Sequence, residues 1–202
     1  QLFMSSPLET PECISGEIDA SGLGGATLHA SRSGIARLIA DDEEEACELA
    51  ADILGFLPDN NQSSPPIEPT SDDVTRLNPD LTTIVPDNPN RPYDMVKVIE
   101  EIVDDGIFME LFNSYAENIV IGFSRLDGKT IGVVANQPKV LAGCLDIDAS
   151  IKAARFIRTC DAFNIPLVTF EDVPGFLPGV VQEWGGITVS YTHLTLPTIP
   201  QV

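Results

Sequence analysis

The chain has 202 residues, 43% of them hydrophobic, which is enough for a sizeable core and argues against global disorder. Its formal net charge of −20 argues against nucleic acid as the main partner, because phosphate groups repel such a surface. No apolar stretch approaches the ~20 residues of a membrane span and no signal peptide is visible, so the sequence predicts a cytoplasmic protein without direct membrane insertion.

Histidine and cysteine are too scarce and scattered to suggest a metal centre or a histidine-dependent nucleophile. The histidines are His29 and His193, and the cysteines, which form no Cys-x-x-Cys pair, are Cys13, Cys47, Cys144 and Cys160. We therefore expect reduced thiols and no metal site. Of the 31 acidic residues, 18 lie in 41–105, so the nearly balanced residues 106–202 are the more favourable place for an anionic ligand.

Residues 13–40 are rich in glycine. The Gly24-Gly25-Ala26 motif and the later Ser33-Gly34 pair permit tight turns or a close approach of the backbone to another group. His29 lies between them and suits acid–base chemistry near neutral pH. A lone histidine is more often a structural hydrogen-bonding group, so that interpretation is favoured.

A helix is predicted to begin at Asp41, with Glu44 three residues later as in a capping box. Its apolar residues follow at helical spacing: Ala46, Leu49, Ala50, Ile53, Leu54 and Leu57. Pro58 ends this helix, and residues 58–92 then hold eight of the sixteen prolines. That composition predicts a linker or an extended crossing segment between two pieces of protein.

The second piece is predicted to alternate helices and strands, as in layered α/β proteins. Its expected elements are a helix at 94–105 capped by Asp94, β-rich segments at 107–112 and 118–125, a hairpin turn at Asp127-Gly128, a strand at Thr130–Ala135, a helix at 149–163 and a buried parallel strand at Leu167–Phe170. The second helix has an apolar stripe (Ala153, Phe156, Ile157, Cys160) and a basic stripe (Lys152, Arg155, Arg158). The basic stripe suits a phosphate or carboxylate, although a solvated or ion-paired helix face is the default interpretation.

The loop that follows the last predicted strand is the most informative segment. Ligands of open α/β sheets gather beyond the carboxyl ends of strands. The candidate residues of this loop are Pro174, Gly175, Phe176, Pro178 and Gly179. Prolines fix its shape, and glycines let backbone N–H groups approach a developing negative charge. An ordinary strand-to-helix connection has equal weight from the residues alone.

Asn136 and Gln137 follow the other predicted strand and suit contact with a ligand amide or carbonyl. Capping of the local backbone is an interpretation of at least equal weight. The tail at 189–202 differs from the rest, because it has no charged residue and no clear period. It resembles a reading-frame translation of a transposase sequencing adapter, so we expect coding sequence to end near Thr188; a natural threonine-rich tail is the alternative.

Several long motifs, in order, resemble the carboxyltransferase (β) subunit of biotin-dependent acyl-CoA carboxylases, and the propionyl-CoA type is most similar in pattern. They are Gly24-Gly-Ala-x-x-His29 with Ser33-Gly34, Tyr115-Ala-x-Asn118-Ile-Val-x-Gly122-Phe, Asn136-Gln-Pro-Lys139, Gly143-Cys-Leu-Asp-Ile147, Ala154-Arg-Phe156, Cys160-Asp-Ala-Phe-Asn-Ile-Pro-Leu-Val-Thr169 and Asp172-Val-Pro-Gly-Phe-Leu-Pro-Gly179. Arg37 departs from the family pattern, which usually has histidine there. The resemblance runs from Gln1 to about Ile187.

The resemblance implies a crotonase-like (ClpP/crotonase) α/β fold with two related halves. Residues 1–57 would end the N-terminal half, 58–92 would connect the halves, and 93–188 would begin the C-terminal half. Since family members are much longer, we expect an internal fragment that is inactive by itself. Both oxyanion turns of the family fall outside it, so the catalytic groups cannot be assigned here.

The implied reaction moves a carboxyl group from carboxybiotin, carried on a partner protein, to the α-carbon of a short acyl-CoA through an enolate, without a metal. The implied partners are a biotin carboxylase or biotin carrier subunit, the acyl-CoA and further copies of the chain in a hexameric core. Asn118, Asn136 and Gln137 become candidates for acyl-CoA contact. The alternatives are the α subunit of a sodium-pumping methylmalonyl-CoA or glutaconyl-CoA decarboxylase, and a non-catalytic truncated paralogue with an assembly role.

Overall fold

The computed structural model describes Leu2, residues 19–88 and residues 91–195, so Cys13 and the end of the tail, 196–202, lie outside the described residues. The helices are α1 (Ala20–Gly24), α2 (Ala26–Ser31), α3 (Glu43–Phe56), α4 (Leu81–Ile84), α5 (Met95–Ile102), α6 (Ile147–Ala162), α7 (Val180–Trp184) and α8 (Ile187–Thr195). The strands are β1 (Met109–Leu111), β2 (Ile119–Leu126), β3 (Lys129–Asn136) and β4 (Leu167–Phe170).

The strands form one four-stranded sheet in the order β1-β2-β3-β4. The first three strands are antiparallel, and β4 joins β3 in parallel after the crossover through α6. The predicted hairpin is confirmed: Asp127 and Gly128 join β2 to β3 and both have positive φ, 53° and 71°. Two consecutive left-handed residues match the twist of the flanking strands, which explains the Asp-Gly pair.

Side chains alternate along the strands and build a core on each face of the sheet. On one face Ile121 and Phe123 pack with the apolar stripe of α6, which includes Phe156. On the other face Val120 and Val133 pack with α5. Helices on both faces of a partly parallel sheet give the layered α/β architecture that the sequence predicts.

Aspartate caps begin α3, α5 and α6. Asp94 caps α5 as predicted, accepting a hydrogen bond from the Val96 N–H. The cap of α3 is Asp42 and not the predicted Asp41: Asp42 accepts from the Glu45 N–H, while Glu45 accepts from the Asp41 N–H. The capping box therefore lies one residue later than predicted, because five successive acidic residues, 41–45, offer two equivalent registers.

Two other helix bounds differ from the prediction, and one apolar stripe is less covered than expected. The helix α5 ends at Ile102, because a tight 3-10 turn follows in which Asp105 has a φ of 52°. Asp146 caps α6, which therefore begins at Ile147 rather than 149. The apolar stripe of α3 is only partly covered, since Leu54 is 67% exposed.

The proline-rich segment is docked and contains a short helix, α4. The Arg76 guanidinium donates to the carbonyls of Glu101, Ile102 and Val103, which lie at the end of α5. Asp72 forms an ion pair with Arg76 at 2.7 Å. These hydrogen bonds satisfy backbone carbonyls that would otherwise lack partners at the end of α5. They fix this part of the proline-rich segment against α5, whereas its composition predicts only a linker or an extended segment.

The predicted basic stripe on the surface of α6 is wrong for one of its three residues, Lys152, which is buried. Its side chain is only 3% exposed, whereas Arg155 and Arg158 are exposed. The Lys152 ammonium donates to four carbonyls, those of Phe112, Tyr115, Ala116 and Ile119, at 2.7–3.3 Å. Burial lowers its pKa to about 8, against the opposing effect of Glu110 and Glu117.

The strand β4 is half-buried rather than fully buried. Its parallel pairing with β3 is confirmed, but it is the last strand of the described sheet and has one neighbour. No helix among the described residues is long and apolar enough to cross a bilayer. The same residues contain no group of three or more potential metal ligands.

Candidate functional site

The strongest candidate site lies at the carboxyl ends of β3 and β4. Parallel pairing places Ala135 opposite Phe170, so the segments that follow the two strands emerge at one edge of the sheet. Together with the segment before α5 they border a cavity of about 550 Å³, which we call the edge cavity. Its lining residues are Arg91, Pro92, Tyr93, Pro138, Lys139, Ala142, Asp172, Val173 and Pro174.

Gln137 ties the exit of β3 to the start of α5. Its Oε1 accepts from the Met95 N–H at 3.1 Å, and its Nε2 donates to Asp94 Oδ1 at 2.9 Å. Lys139 donates to the other oxygen of Asp94 at 2.8 Å. Burial alone would raise the pKa of Asp94, but the hydrogen bonds from Lys139, Gln137 and Val96 outweigh it and lower that pKa. The amide therefore shapes the cavity wall.

Asn118 and Asn136 fix a strained turn beside the edge cavity. Asn136 Nδ2 donates to the Gly143 carbonyl at 3.1 Å, and Asn118 Nδ2 donates to the Cys144 carbonyl at 2.8 Å. Leu141, Ala142 and Gly143 all have positive φ, between 50° and 76°. A Cβ at Gly143 would lie 2.6 Å from the Asp172 carbonyl oxygen, so the close approach of the two loops requires glycine. These contacts match the local-capping interpretation.

The Asp172–Gly179 loop is anchored at its start and its middle. The Tyr93 hydroxyl donates to Asp172 Oδ2 at 2.7 Å, and burial followed by that hydrogen bond raises the pKa of Tyr93 to about 12. Leu145 donates to the Gly175 carbonyl and accepts from the Leu177 N–H, in a short parallel bridge. The loop is thus held in place beside the edge cavity.

Part of the loop's backbone remains available to a ligand. The N–H groups of Gly175, Phe176 and Gly179 donate to none of the residues that the structure describes. The φ values of Gly175 and Gly179 are 147° and 143°, and open space lies where their Cβ atoms would be. This arrangement can present N–H groups to an anionic oxygen.

The glycine motif near the N-terminus lies elsewhere. None of Gly24, Gly25, Ala26, His29, Ser33 and Gly34 lines the edge cavity. His29 Nε2 donates to the Leu2 carbonyl at 2.6 Å, and its Nδ1 is 2.8 Å from Ser33 Oγ. Both ring nitrogens have partners, which is the structural use of histidine that the sequence favours.

Steric contacts explain two glycines of that motif. A Cβ at Gly25 would lie 2.5 Å from the Ser21 carbonyl oxygen, where α1 gives way to α2. Gly34 has a φ of 58°, and its Cβ would lie 2.6 Å from the ring of Tyr115. The motif therefore joins the first helices to the turn between β1 and β2.

Arg91, Tyr93 and Lys139 are site residues that reasoning from the sequence did not single out. Arg91 and Lys139 bring positive charge to the cavity of a chain with net charge −20. The available signals were the Arg-Pro-Tyr-Asp string at 91–94, directly before the cap of α5, and the lysine that ends Asn136-Gln-Pro-Lys139.

Residues 1–193 match the carboxyl transferase domain family, and the chain belongs to that family. A solved structure of transcarboxylase 12S with methylmalonyl-coenzyme A and methylmalonic acid bound superposes with a TM-score of 0.93 at 42% identity, covering 97% of this chain and 38% of that one. The predicted crotonase-like carboxyltransferase fold is thereby confirmed.

Among curated proteins, the propionyl-CoA carboxylase beta chain of Roseobacter denitrificans is 50% identical over 98% of this chain and 40% of its own length. The methylmalonyl-CoA decarboxylase subunit alpha of Veillonella parvula is 48% identical, with the same coverage. The chain thus spans about 40% of the length of these relatives.

Proposed function

We propose that the chain is an internal part of an acyl-CoA carboxylase carboxyltransferase subunit. The whole subunit transfers a carboxyl group from carboxybiotin to the α-carbon of a short acyl-CoA such as propionyl-CoA. The observation that carries this proposal is the family match over residues 1–193, which includes both loops of the edge cavity. The fragment alone is proposed to be inactive.

The edge cavity and the loop beside it fit anionic ligands; of the candidate loop residues, Pro174 lines the cavity, and Gly175, Phe176, Pro178 and Gly179 lie beyond its lining. Bound carboxybiotin supplies the carboxyl group of the reaction. The N–H groups of Gly175, Phe176 and Gly179 suit hydrogen bonds to a carboxylate or ureido oxygen. Arg91 and Lys139 suit the phosphates of coenzyme A. The proposed transfer uses no metal ion.

We propose that three amide side chains affect the binding of acyl-CoA by fixing the shape of the edge cavity: those of Asn118, Asn136 and Gln137. Their amide Nδ2 or Nε2 atoms bond to backbone carbonyls or to Asp94. They hold the Leu141–Gly143 turn and the start of α5 where the ligand would pass. The prolines of the Asp172–Gly179 loop, Pro174 and Pro178, restrict its backbone and so also help to fix the shape of this region.

The test is a substitution in the full-length subunit assembled with its biotin carboxylase and carrier. Lys139→Gln removes a cation from the edge cavity, and we expect KM for propionyl-CoA to rise about tenfold, as for one lost charge-assisted hydrogen bond. Lys129→Gln is the matched control, because Lys129 is exposed in the hairpin and far from the cavity lining. Equal KM values for the two variants would refute the assignment.

The second candidate is the α subunit of a sodium-pumping methylmalonyl-CoA or glutaconyl-CoA decarboxylase. It is supported by the methylmalonyl-CoA decarboxylase α subunits of Veillonella parvula and Propionigenium modestum, which are 48% and 45% identical to the chain. It runs the transfer in the opposite direction with membrane partners. A neighbouring biotin carboxylase gene favours the carboxylase, and a neighbouring integral membrane β subunit gene favours the decarboxylase.

Assembly and location are proposed on the same basis. The transcarboxylase 12S structure is a hexamer assembly, and we propose a hexameric core here with a biotin carboxylase or carrier as partner. We also propose a cytoplasmic location. Size-exclusion chromatography with light scattering on the full-length subunit tests the hexamer.

The proposed boundaries remain 1–57, 58–92 and 93–188, with an adapter-derived tail at 189–202. The helix α8 crosses the last boundary, and the family match reaches residue 193. Reading the source gene outward from codon 188 tests the tail. A frame that continues into further carboxyltransferase sequence supports the enzyme. A genomic stop after codon 202 supports the third candidate, a truncated paralogue with an assembly role.

A further inference from the structure

A second cavity lies away from the edge cavity and shares no lining residue with it. It has a volume of about 280 Å³ and is enclosed by the end of α3, the β1–β2 side of the sheet and α6. Its floor is apolar and includes Leu57, Leu111, Phe123 and Phe156. Phe123 and Phe156 lie in the core of that face and are almost fully buried, so the floor is rigid.

Two arginines border this cavity, which we call the arginine-rimmed cavity. Arg37 reaches it from the segment before α3, and Arg155 reaches it from α6. Neither guanidinium forms an ion pair with any carboxylate among the described residues. The chain has 31 acidic and 11 basic residues, and these two cations border an apolar cavity without a carboxylate partner among the described residues.

The wall of this cavity also contains a strained aromatic residue. Phe112 has a φ of 56°, a conformation that bulky side chains rarely adopt. Its N–H donates to the Arg37 carbonyl, its own carbonyl accepts from Lys152, and its ring lies 5.6 Å from the Arg37 guanidinium. Backbone strain held from both sides in this way concentrates at sites that bind ligands.

We propose that the arginine-rimmed cavity binds a small amphipathic carboxylate, whose apolar tail lies on the aromatic floor while Arg37 and Arg155 contact the carboxylate. Guanidinium groups match the planar geometry of a carboxylate and bind it with paired hydrogen bonds. At the ~30 Å³ that a water-sized group occupies, the cavity holds about nine non-hydrogen atoms. A straight-chain acid such as hexanoate is about this size.

The test is calorimetric titration of the full-length subunit with sodium hexanoate. We expect saturable binding of hexanoate and none of acetate, which lacks the tail, or of hexylammonium, which has the opposite charge. Arg155→Gln should weaken binding about tenfold, as for loss of one charge-assisted contact. Arg158→Gln is the matched control, because it removes the same charge from the exposed face of α6 outside the cavity lining.

Arg37→Gln should weaken binding similarly, and thermal unfolding checks that the variants fold. Since Arg37 also stacks on Phe112, Arg155→Gln is the decisive variant. Absence of saturable binding, or equal affinity in Arg155→Gln and Arg158→Gln, would overturn the proposal. Displacement of hexanoate by propionyl-CoA would also overturn it, by placing the ligand at the edge cavity. Failure of carboxylation by the subunit leaves this test unaffected.

Discussion

Replacing Lys152 with methionine is expected to loosen the turn between β1 and β2. The substitution keeps most of the buried stem and removes the ammonium that donates to four carbonyls. Two of those carbonyls, from Phe112 and Ala116, keep a second donor in the turn. The Tyr115 and Ile119 carbonyls have no other donor among the described residues, since β1 ends at Leu111, opposite Ile121.

The expected cost follows from those two carbonyls. A buried acceptor left without a donor costs ~1–3 kcal/mol, so Lys152→Met should lower the free energy of unfolding by about 2–6 kcal/mol. Arg158→Met removes the same charge from the exposed part of the same helix and should stay within about 0.5 kcal/mol of the parent. Equilibrium urea unfolding of the full-length subunit compares the two variants.

Hydrogen exchange gives the local reading of the same substitution. Amides in residues 112–119 should exchange faster in Lys152→Met, while those of α5, on the opposite face of the sheet, should change little. Unfolding midpoints that coincide for Lys152→Met and Arg158→Met would refute the carbonyl cradle as a source of stability. Faster exchange confined to α5 would contradict the role given to the ammonium in the turn.

Three further expectations follow from other contacts. Gly34→Ala should destabilise the full-length subunit by about 1–3 kcal/mol, because Gly34 has a φ of 58° and an added Cβ would lie 2.6 Å from an aromatic ring. Thermal unfolding should show no loss of stability for the control Gly55→Ala, because a Cβ at Gly55 makes only an ordinary 3.9 Å contact inside a helix. Arg125→Met should free the end of α3, because its guanidinium bonds to the Gly55 carbonyl and to Glu68, and protease cleavage after α3 should become faster than in the parent. Folding lowers the pKa of Asp94, so the stability that its carboxylate contributes is present above the ordinary pKa of 3.8 and is lost as the pH falls through the folded pKa. The difference in unfolding free energy between the parent and Asp94→Asn should therefore shrink below the folded pKa, and a difference that stays constant with pH would contradict the pairing with Lys139.

Local signals in the sequence located most elements of the second piece. Asp94 as a cap, Asp127-Gly128 as a hairpin turn and the apolar stripe of α6 each depend on residues within a few positions of one another. The structure confirms them, and the family resemblance found the fold class. Where two registers were locally equivalent, as at Asp41 and Asp42, the sequence alone selected the wrong one.

Long-range contacts account for what the sequence did not reveal. Lys152 has the spacing of a surface lysine, and only the turn 33–40 residues before it makes burial possible. Tyr93 and Asp172 are 79 residues apart in the sequence, so no pattern within either segment predicts their hydrogen bond. The sequence identified both loops of the edge cavity but could not show that the amides of Asn136 and Gln137 are already bound within the chain.

The same physical arrangement occurs at both cavities: buried polar side chains hold a turn that contains a left-handed residue. Each cavity has in its wall a turn with left-handed non-glycine residues: Ala142 at the edge cavity and Phe112 at the arginine-rimmed cavity. Asn118 and Asn136 hold the first turn, and Lys152 holds the second. Such conformations cost about 1–3 kcal/mol each and persist only where surrounding contacts fix them. The polar groups buried in this core therefore serve to maintain the shapes of the two surfaces that we propose to bind ligands, more than they serve the packing of the sheet itself.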